Sequence, residues 1–212
     1  MSEYVKATGR VRLLSLYDPV IALTTREGRW RSRAVELVRE VLPEGGTVLD
    51  VGAGTGRSAF AYLDGGFEVI AVDGDPEILE IARSRPGAER IDWREGLSTS
   101  LDLEDGTVDA VNLSLMLHHL SDLDKRRTLG EARRVLRPGG VLIVSDWGRP
   151  TLAMKPFFFG LQLLDGRENT GAHGRGEIPG MIADAGFIGV TTEGRYSTAW
   201  GLLELIRATS RP

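Results

Sequence analysis

Short apolar runs alternate with segments of helical periodicity, and that alternation limits the fold of this 212-residue chain more than any other feature. Residues 47–51 (TVLDV), 67–73 (FEVIAVD), 108–115 (VDAVNLSL) and 141–147 (VLIVSDW) read as strands, and 90–93 (RIDW) as a shorter one. Trp30, Ala34, Leu37, Val38, Val41 and Leu42 recur at helical spacing, which predicts an amphipathic helix over 28–42 ending before Pro43. A second helix should start near Ser58, and a third at Pro76 with Asp75 as its cap. A fourth should span Leu123 to Leu136 and stop at a turn made by 137–140 (RPGG). Strand and helix alternating several times imply a parallel sheet covered on both faces.

The last third of the chain breaks that rhythm. Residues 149–166 form an apolar segment interrupted by Pro156, and 167–177 (RENTGAHGRGE) read as a polar, glycine-rich loop. A short helix is expected around 178–185. Two closing strands should follow, 186–193 and 197–208, antiparallel and joined by a turn near Gly194 to Ser197.

A net charge of −4 and a pI near 5.5 argue against a general nucleic-acid binder. The basic stretch 26–33 (REGRWRSR) reads first as the solvated face of a helix, with membrane or acidic-ligand contact as the other reading. The absence of cysteine removes disulfides, thiolate metal sites and cysteine nucleophiles. The first ten residues lack an apolar signal core, and no segment approaches the ~18 consecutive apolar residues that span a bilayer. The expectation is a soluble cytoplasmic protein.

Chemistry concentrates in 48–60 (VLDVGAGTGRSAF), a buried strand, a glycine turn and the start of a helix. That order holds nucleotide-like ligands over the carboxyl end of the strand. A dinucleotide site wants G-x-G-x-x-G. Here Gly52, Gly54 and Gly56 alternate, and Arg57 occupies the third-glycine position, which disfavours a nicotinamide-dependent oxidoreductase. Asp73, ending the second strand, lies where a ribose diol needs an acceptor.

These stretches resemble the class I S-adenosylmethionine-dependent methyltransferases, through 48–56 (VLDVGAGTG), 69–83 (VIAVDGDPEILEIAR), 101–122 (LDLEDGTVDAVNLSLMLHHLSD) and 129–147 (LGEARRVLRPGGVLIVSDW). The look is nearest to the branch of ubiquinone and menaquinone C-methyltransferases and similar small-molecule methyltransferases. The resemblance implies an α/β, Rossmann-like, mostly parallel seven-stranded sheet with helices on both faces and the last strand antiparallel. It implies one domain: a helical lead-in over 1–45, a cofactor-binding core over 46–147, and a substrate lid with closing strands over 148–212. The cofactor would be S-adenosylmethionine, released as S-adenosylhomocysteine. Asp50, Gly52, Ala53 and Gly54 would cradle its methionine part and ribose edge, Asp73 and Gly74 its ribose hydroxyls, and Ser114 would border the sulfonium. Where members of this class carry an acid for adenine, this chain has Leu97, leaving the base to backbone groups, Ser98 or apolar packing. Tyr17, in the lead-in, would close over the cofactor or simply precede a helix start at Asp18-Pro19.

A general base is needed only if the acceptor atom is protonated. His118 and His119 after the fourth strand, and His173 in the glycine-rich segment, are the candidates; ordinary packing and loop exposure are their competing readings. Trp147 and the run Phe157, Phe158 and Phe159 either line an acceptor pocket or belong to the core. No histidine–carboxylate spacing supports a metal site. The expected activity is methyl transfer to a small apolar acceptor, quinone-, phenol-, amine- or lipid-like, with a non-catalytic S-adenosylmethionine-binding module as the alternative. Peripheral membrane contact and a homodimer are left open.

Overall fold

The computed structural model describes residues 27–151, 154, 158–159, 166–198 and 201–212. Tyr17 therefore lies outside the described residues, as do Pro156 and Phe157. Seven strands form one sheet: β1 (Thr47–Val51), β2 (Glu68–Asp73), β3 (Asp92–Glu95), β4 (Val108–Ser114), β5 (Leu136–Trp147), β6 (Ile188–Ser197) and β7 (Leu202–Thr209). Their spatial order is β3-β2-β1-β4-β5-β7-β6, with β7 antiparallel to both of its neighbours and the other pairs parallel. Among the described residues, six α-helices of seven residues or more surround the sheet: α1 (Glu27–Val41), α2 (Arg57–Asp64), α3 (Pro76–Arg83), α4 (Asp122–Val135), α5 (Arg167–Arg175) and α6 (Ile178–Asp184).

Successive strand residues face opposite ways, and here both ways are buried. Val48, Ala110, Val141 and Ile143 pack against Ala34, Leu37 and Val38 of α1 and Ala59 and Tyr62 of α2. Their neighbours Leu49, Val111, Leu142 and Val144 pack against Leu129, Ala132 and Val135 of α4 and Met181 and Ile182 of α6. The period of two in the strands and of 3.6 in the helices thus resolve into two apolar layers. Asp75 caps α3 by accepting from the amides of Glu77 at 3.0 Å and Ile78 at 3.5 Å, with Pro76 at the first helical position.

Five local expectations need correction. β3 begins two residues later than the sequence indicates, at Asp92. Residues 137–140 do not form a separate turn: β5 runs through them, with a register slip where Val108 faces Leu136 and Ala110 faces Val141. The polar segment after Gly166 is a helix, α5, rather than a loop; its glycines allow close packing, since a Cβ at Gly174 would come 2.9 Å from Cε1 of Phe158. The last hairpin turns between Ser197 and Leu202, because Gly194 marks an irregularity inside β6 and not its end. Finally, the basic stretch in α1 is not all solvated: Arg31 donates to Ser58 Oγ at 2.8 Å and pairs with buried Glu27, which also accepts from Arg57 Nε at 2.6 Å.

Candidate functional site

The glycine turn is stitched to the neighbouring strand. Gly52 and Ala53 both donate to the carbonyl of Val72, at 2.8 and 3.1 Å. Gly52, Gly54 and Gly56 all have φ in the left-handed region, at 69°, 54° and 83°. A Cβ at Gly52 would meet Cβ of Met116 at 2.9 Å, and one at Gly56 would lie 2.4 Å from Cη2 of Trp93. At Gly54 a Cβ would meet nothing within 4 Å; the turn there borders open space.

That space is a cavity of about 440 Å³ over the carboxyl ends of the strands, within the size range of small-molecule sites. On the β1–β2 side it is lined by Gly52, Gly54, Asp73, Gly74 and Ile78, and beyond β3 by Gly96, Leu97, Ser98 and Thr99. Leu115, Met116, His119, Leu120, Ser121, Asp124 and Asn169 close the opposite wall. Asp73 fixes the turn: Oδ2 accepts from the Gly54 amide at 2.7 Å and Oδ1 from the Asp75 amide at 2.9 Å. Burial pushes its carboxyl up from the ordinary range, against the pull of those amides.

Of the residues singled out from sequence, Gly52, Gly54, Asp73, Gly74, Leu97, Ser98 and His119 therefore meet at one cavity. Ser98 Oγ is paired with Thr128 Oγ1 at 2.9 Å. Asp50, Ala53 and Ser114 lie outside the lining: Ala53 packs on the α1–α2 layer, and the other two sit in a polar network beneath it. Asn112 Nδ2 donates to Asp50 Oδ1 at 2.7 Å and to Ser114 Oγ at 3.0 Å, while Tyr62 Oη donates to Asn112 Oδ1 at 3.2 Å. Asp50 Oδ2 is buried with no hydrogen-bond partner among the described residues. Burial raises the Asp50 carboxyl to about 6, the Asn112 hydrogen bond and the Arg31 charge only partly opposing it.

A second cluster lies behind the cavity wall, centred on a residue that sequence reasoning passed over. Asp146, near the carboxyl end of β5, accepts from the amides of Leu117 at 2.9 Å, His118 at 3.4 Å and Trp147 at 2.7 Å. His118 Nδ1 lies 2.7 Å from Asp146 Oδ1, and His173 Nε2 lies 3.7 Å from the same oxygen. Burial alone would raise the Asp146 carboxyl, but the facing imidazoles outweigh it and hold it well below its ordinary value. Burial also lowers His118 while the Asp146 carboxylate raises it, and in either charge state of the ring Nδ1–H donates to an ionised Asp146. The signal for Asp146 itself was legible: an acid one residue before the end of a strand, at the carboxyl end of the sheet where α/β sites form.

His118 is buried and paired with Asp146, and His173 is fully buried on α5 and so is not the exposed loop residue of its competing reading. His119 connects them to the cavity: its ring centroid is 3.9 Å from that of His118. Leu115, also in the cavity wall, is the sole non-glycine residue among those described with positive φ, at 51°, a conformation costing about 1–2 kcal/mol. Lys125 ties α4 to α5, its ammonium donating to the carbonyls of Leu120 and Asn169, each at 2.6 Å, and to Asp122 at 3.1 Å. Trp147 and Phe158 pack with Trp30 and Leu203 and take no part in the cavity lining, while Phe159 is exposed. Among the described residues, no group of three or more His, Asp or Glu side chains is arranged so that it could hold a metal ion.

Residues 49–144 match the family described as a methyltransferase domain. The chain is 39% identical over 124 residues to a demethylmenaquinone methyltransferase of Renibacterium salmoninarum, covering 58% of this chain and 49% of that one. It is 37% identical over 126 residues to the Thermus thermophilus demethylmenaquinone methyltransferase, covering 58% and 56%. The chain thus spans about half the length of these relatives. Solved methyltransferases share the fold. One from Thermotoga maritima superposes with a TM-score of 0.66 at 24% identity, covering 94% of this chain and 97% of that one. An O-methyltransferase family protein of Burkholderia thailandensis reaches 0.73 at 20% identity, covering 97% and 61%.

Sheet order, glycine turn, strand-end acid and the match over residues 49–144 make this chain similar to class I S-adenosylmethionine-dependent methyltransferase domains. The relatives it is similar to include demethylmenaquinone methyltransferases and a ubiquinone/menaquinone biosynthesis C-methyltransferase. The residues fit the class's cofactor: a Cβ-free surface at Gly54 opens onto the cavity, and a fixed carboxylate stands beside it.

Proposed function

We propose that this protein methylates a small hydrophobic acceptor of the quinol type, a reduced naphthoquinone or benzoquinone ring. Support comes from the cavity in which the glycine turn, Asp73 and His119 converge, together with the demethylmenaquinone methyltransferases among its relatives. When bound, S-adenosylmethionine supplies a sulfonium-activated methyl group. Gly52, Gly54 and Gly74 let the backbone approach the cofactor closely, and Asp73 accepts from its ribose hydroxyls. Leu115, Met116 and Leu120 give the opposite wall its apolar character and exclude water from the acceptor.

A quinol hydroxyl is protonated at neutral pH, and its ring carbon becomes a strong nucleophile once that proton leaves. His119 takes the hydroxyl proton at a ring nitrogen. His118 orients it by ring contact, and Asp146 fixes the His118 tautomer. Trp147 and Phe158 back the site from the core instead of forming the acceptor wall. The test is anaerobic transfer of labelled methyl to a reduced demethylmenaquinone analogue, set beside phenols, amines and phospholipids. Label in the quinol ring supports the proposal; label in another class alone reassigns the acceptor. Cofactor binding without transfer to any acceptor would make the chain a non-catalytic binding module.

A further inference from the structure

The base of an adenosine ligand presents flat apolar faces and, along one edge, an exocyclic amine that only donates. Enclosed in a cavity, that amine needs an acceptor. The glycine turn occupies the β1 end and Asp73 the β2 end, so the order β3-β2-β1 leaves the β3 side of the cavity for the base. The loop after β3 contributes Leu97 there, whose side chain accepts nothing.

Helix α4 stands against that loop. Ser98 Oγ pairs with Thr128 Oγ1 at 2.9 Å, and the Leu101 amide donates to Glu131 Oε2 at 2.8 Å. Asp124 lies one turn before Thr128 on the same helical stripe and lines the cavity together with Leu97 and Ser98. Asp124 and Asp73 are the carboxylates of that lining among the described residues. The Asp124 carboxylate is held in place: Oδ2 accepts from Ser121 Oγ at 2.8 Å and Oδ1 from Arg127 Nη1 at 3.2 Å. Each oxygen keeps a further lone pair.

We propose that Asp124 accepts from the exocyclic amine of the adenine ring, supplying from α4 the acid that the loop after β3 lacks and selecting a 6-amino over a 6-oxo purine. The proposal rests on the S-adenosylmethionine reading of the cavity. Asp124 also closes a helix cap, its amide donating to Ser121 Oγ at 3.1 Å, so the test must separate base recognition from capping.

The experiment is calorimetric titration with S-adenosylhomocysteine and with its deaminated 6-oxo analogue, S-inosylhomocysteine. The wild-type chain should bind the amino form at least about tenfold more tightly, since a carboxylate facing a 6-oxo group leaves two acceptors opposed. D124N can turn an amide N–H toward the 6-oxo group, so its preference should collapse to within about threefold or reverse. D124A should weaken the amino form by about tenfold and spare the 6-oxo form. Equal wild-type affinity for both nucleosides overturns the proposal without any variant. An equal loss for both in D124N or D124A, with a lowered melting temperature, also overturns it and leaves Asp124 as a helix cap. Failure of the wild type to bind either nucleoside refutes the cofactor reading instead.

Discussion

Replacing Asp50 by Asn should change how stability depends on pH, in a direction fixed by burial. Asp50 is 1% exposed with one oxygen unpartnered among the described residues, and its carboxyl is raised from 3.8 to about 6. A carboxyl that titrates higher in the folded chain binds more protons there than in the unfolded chain, so stability falls as pH rises between the two values. The whole effect, two units or so at 1.36 kcal/mol each, amounts to about 3 kcal/mol and is fully felt above the folded value. Between about pH 4.5 and about pH 7.5 the wild type should lose about 2 kcal/mol relative to D50N. The new amide places an unpaired donor where the bare oxygen was. That penalty does not vary with pH and cancels when the two pH values are compared. Urea unfolding followed by circular dichroism gives the difference directly. Parallel wild-type and D50N profiles across this range would refute the reasoning.

The Asp146 cluster predicts a different pattern. D146N turns an amide donor toward the Leu117 and His118 amides, so it should lower stability by about 2–4 kcal/mol by thermal unfolding and cut methyl transfer by about 10²- to 10⁴-fold. S-adenosylhomocysteine binding, measured calorimetrically, should change little; loss of binding in step with activity would contradict the positioning role. Because Asp146 is held below its unfolded value, its contribution is present above the unfolded pKa and drains away as pH falls toward the folded one. K125M leaves the Leu120 and Asn169 carbonyls without their shared donor, so stability should fall by about 2–3 kcal/mol, with faster amide exchange in α5 than in α2 by mass spectrometry. Unchanged exchange in α5 would show that Lys125 does not anchor it.

The sheet was readable from the chain because its central strands are apolar on both faces and its helices carry a clean stripe; Val48 and Leu49 alone announce two buried layers. α5 was not readable. Gly171 and Gly174 weaken its helix propensity, and what holds it is tertiary: Phe158 against Gly174, and Lys125 on the Asn169 carbonyl. Placing His173 in a loop followed from that. The glycine turn and Asp73 were legible through local spacing, whereas the joining of His118, His173 and Asp146 depends on β5, α5 and the turn after β4 meeting in space, which no local pattern records. Asp50 shows a finer limit: its place in the glycine motif was plain, but its orientation under the turn, toward Asn112, follows from the β1–β4 register.

The central question is whether the space bordered by Gly54 and Asp73 receives S-adenosylmethionine. The direct measurement is titration of the wild-type chain, G54V and D73A with S-adenosylhomocysteine, with folding verified by circular dichroism. One ligand should bind per wild-type chain and none measurably to either folded variant, because the side chain added in G54V would project into the cavity and D73A removes the ribose acceptor. Normal binding by folded G54V or D73A, or a wild-type chain that binds a nicotinamide nucleotide instead, would contradict it.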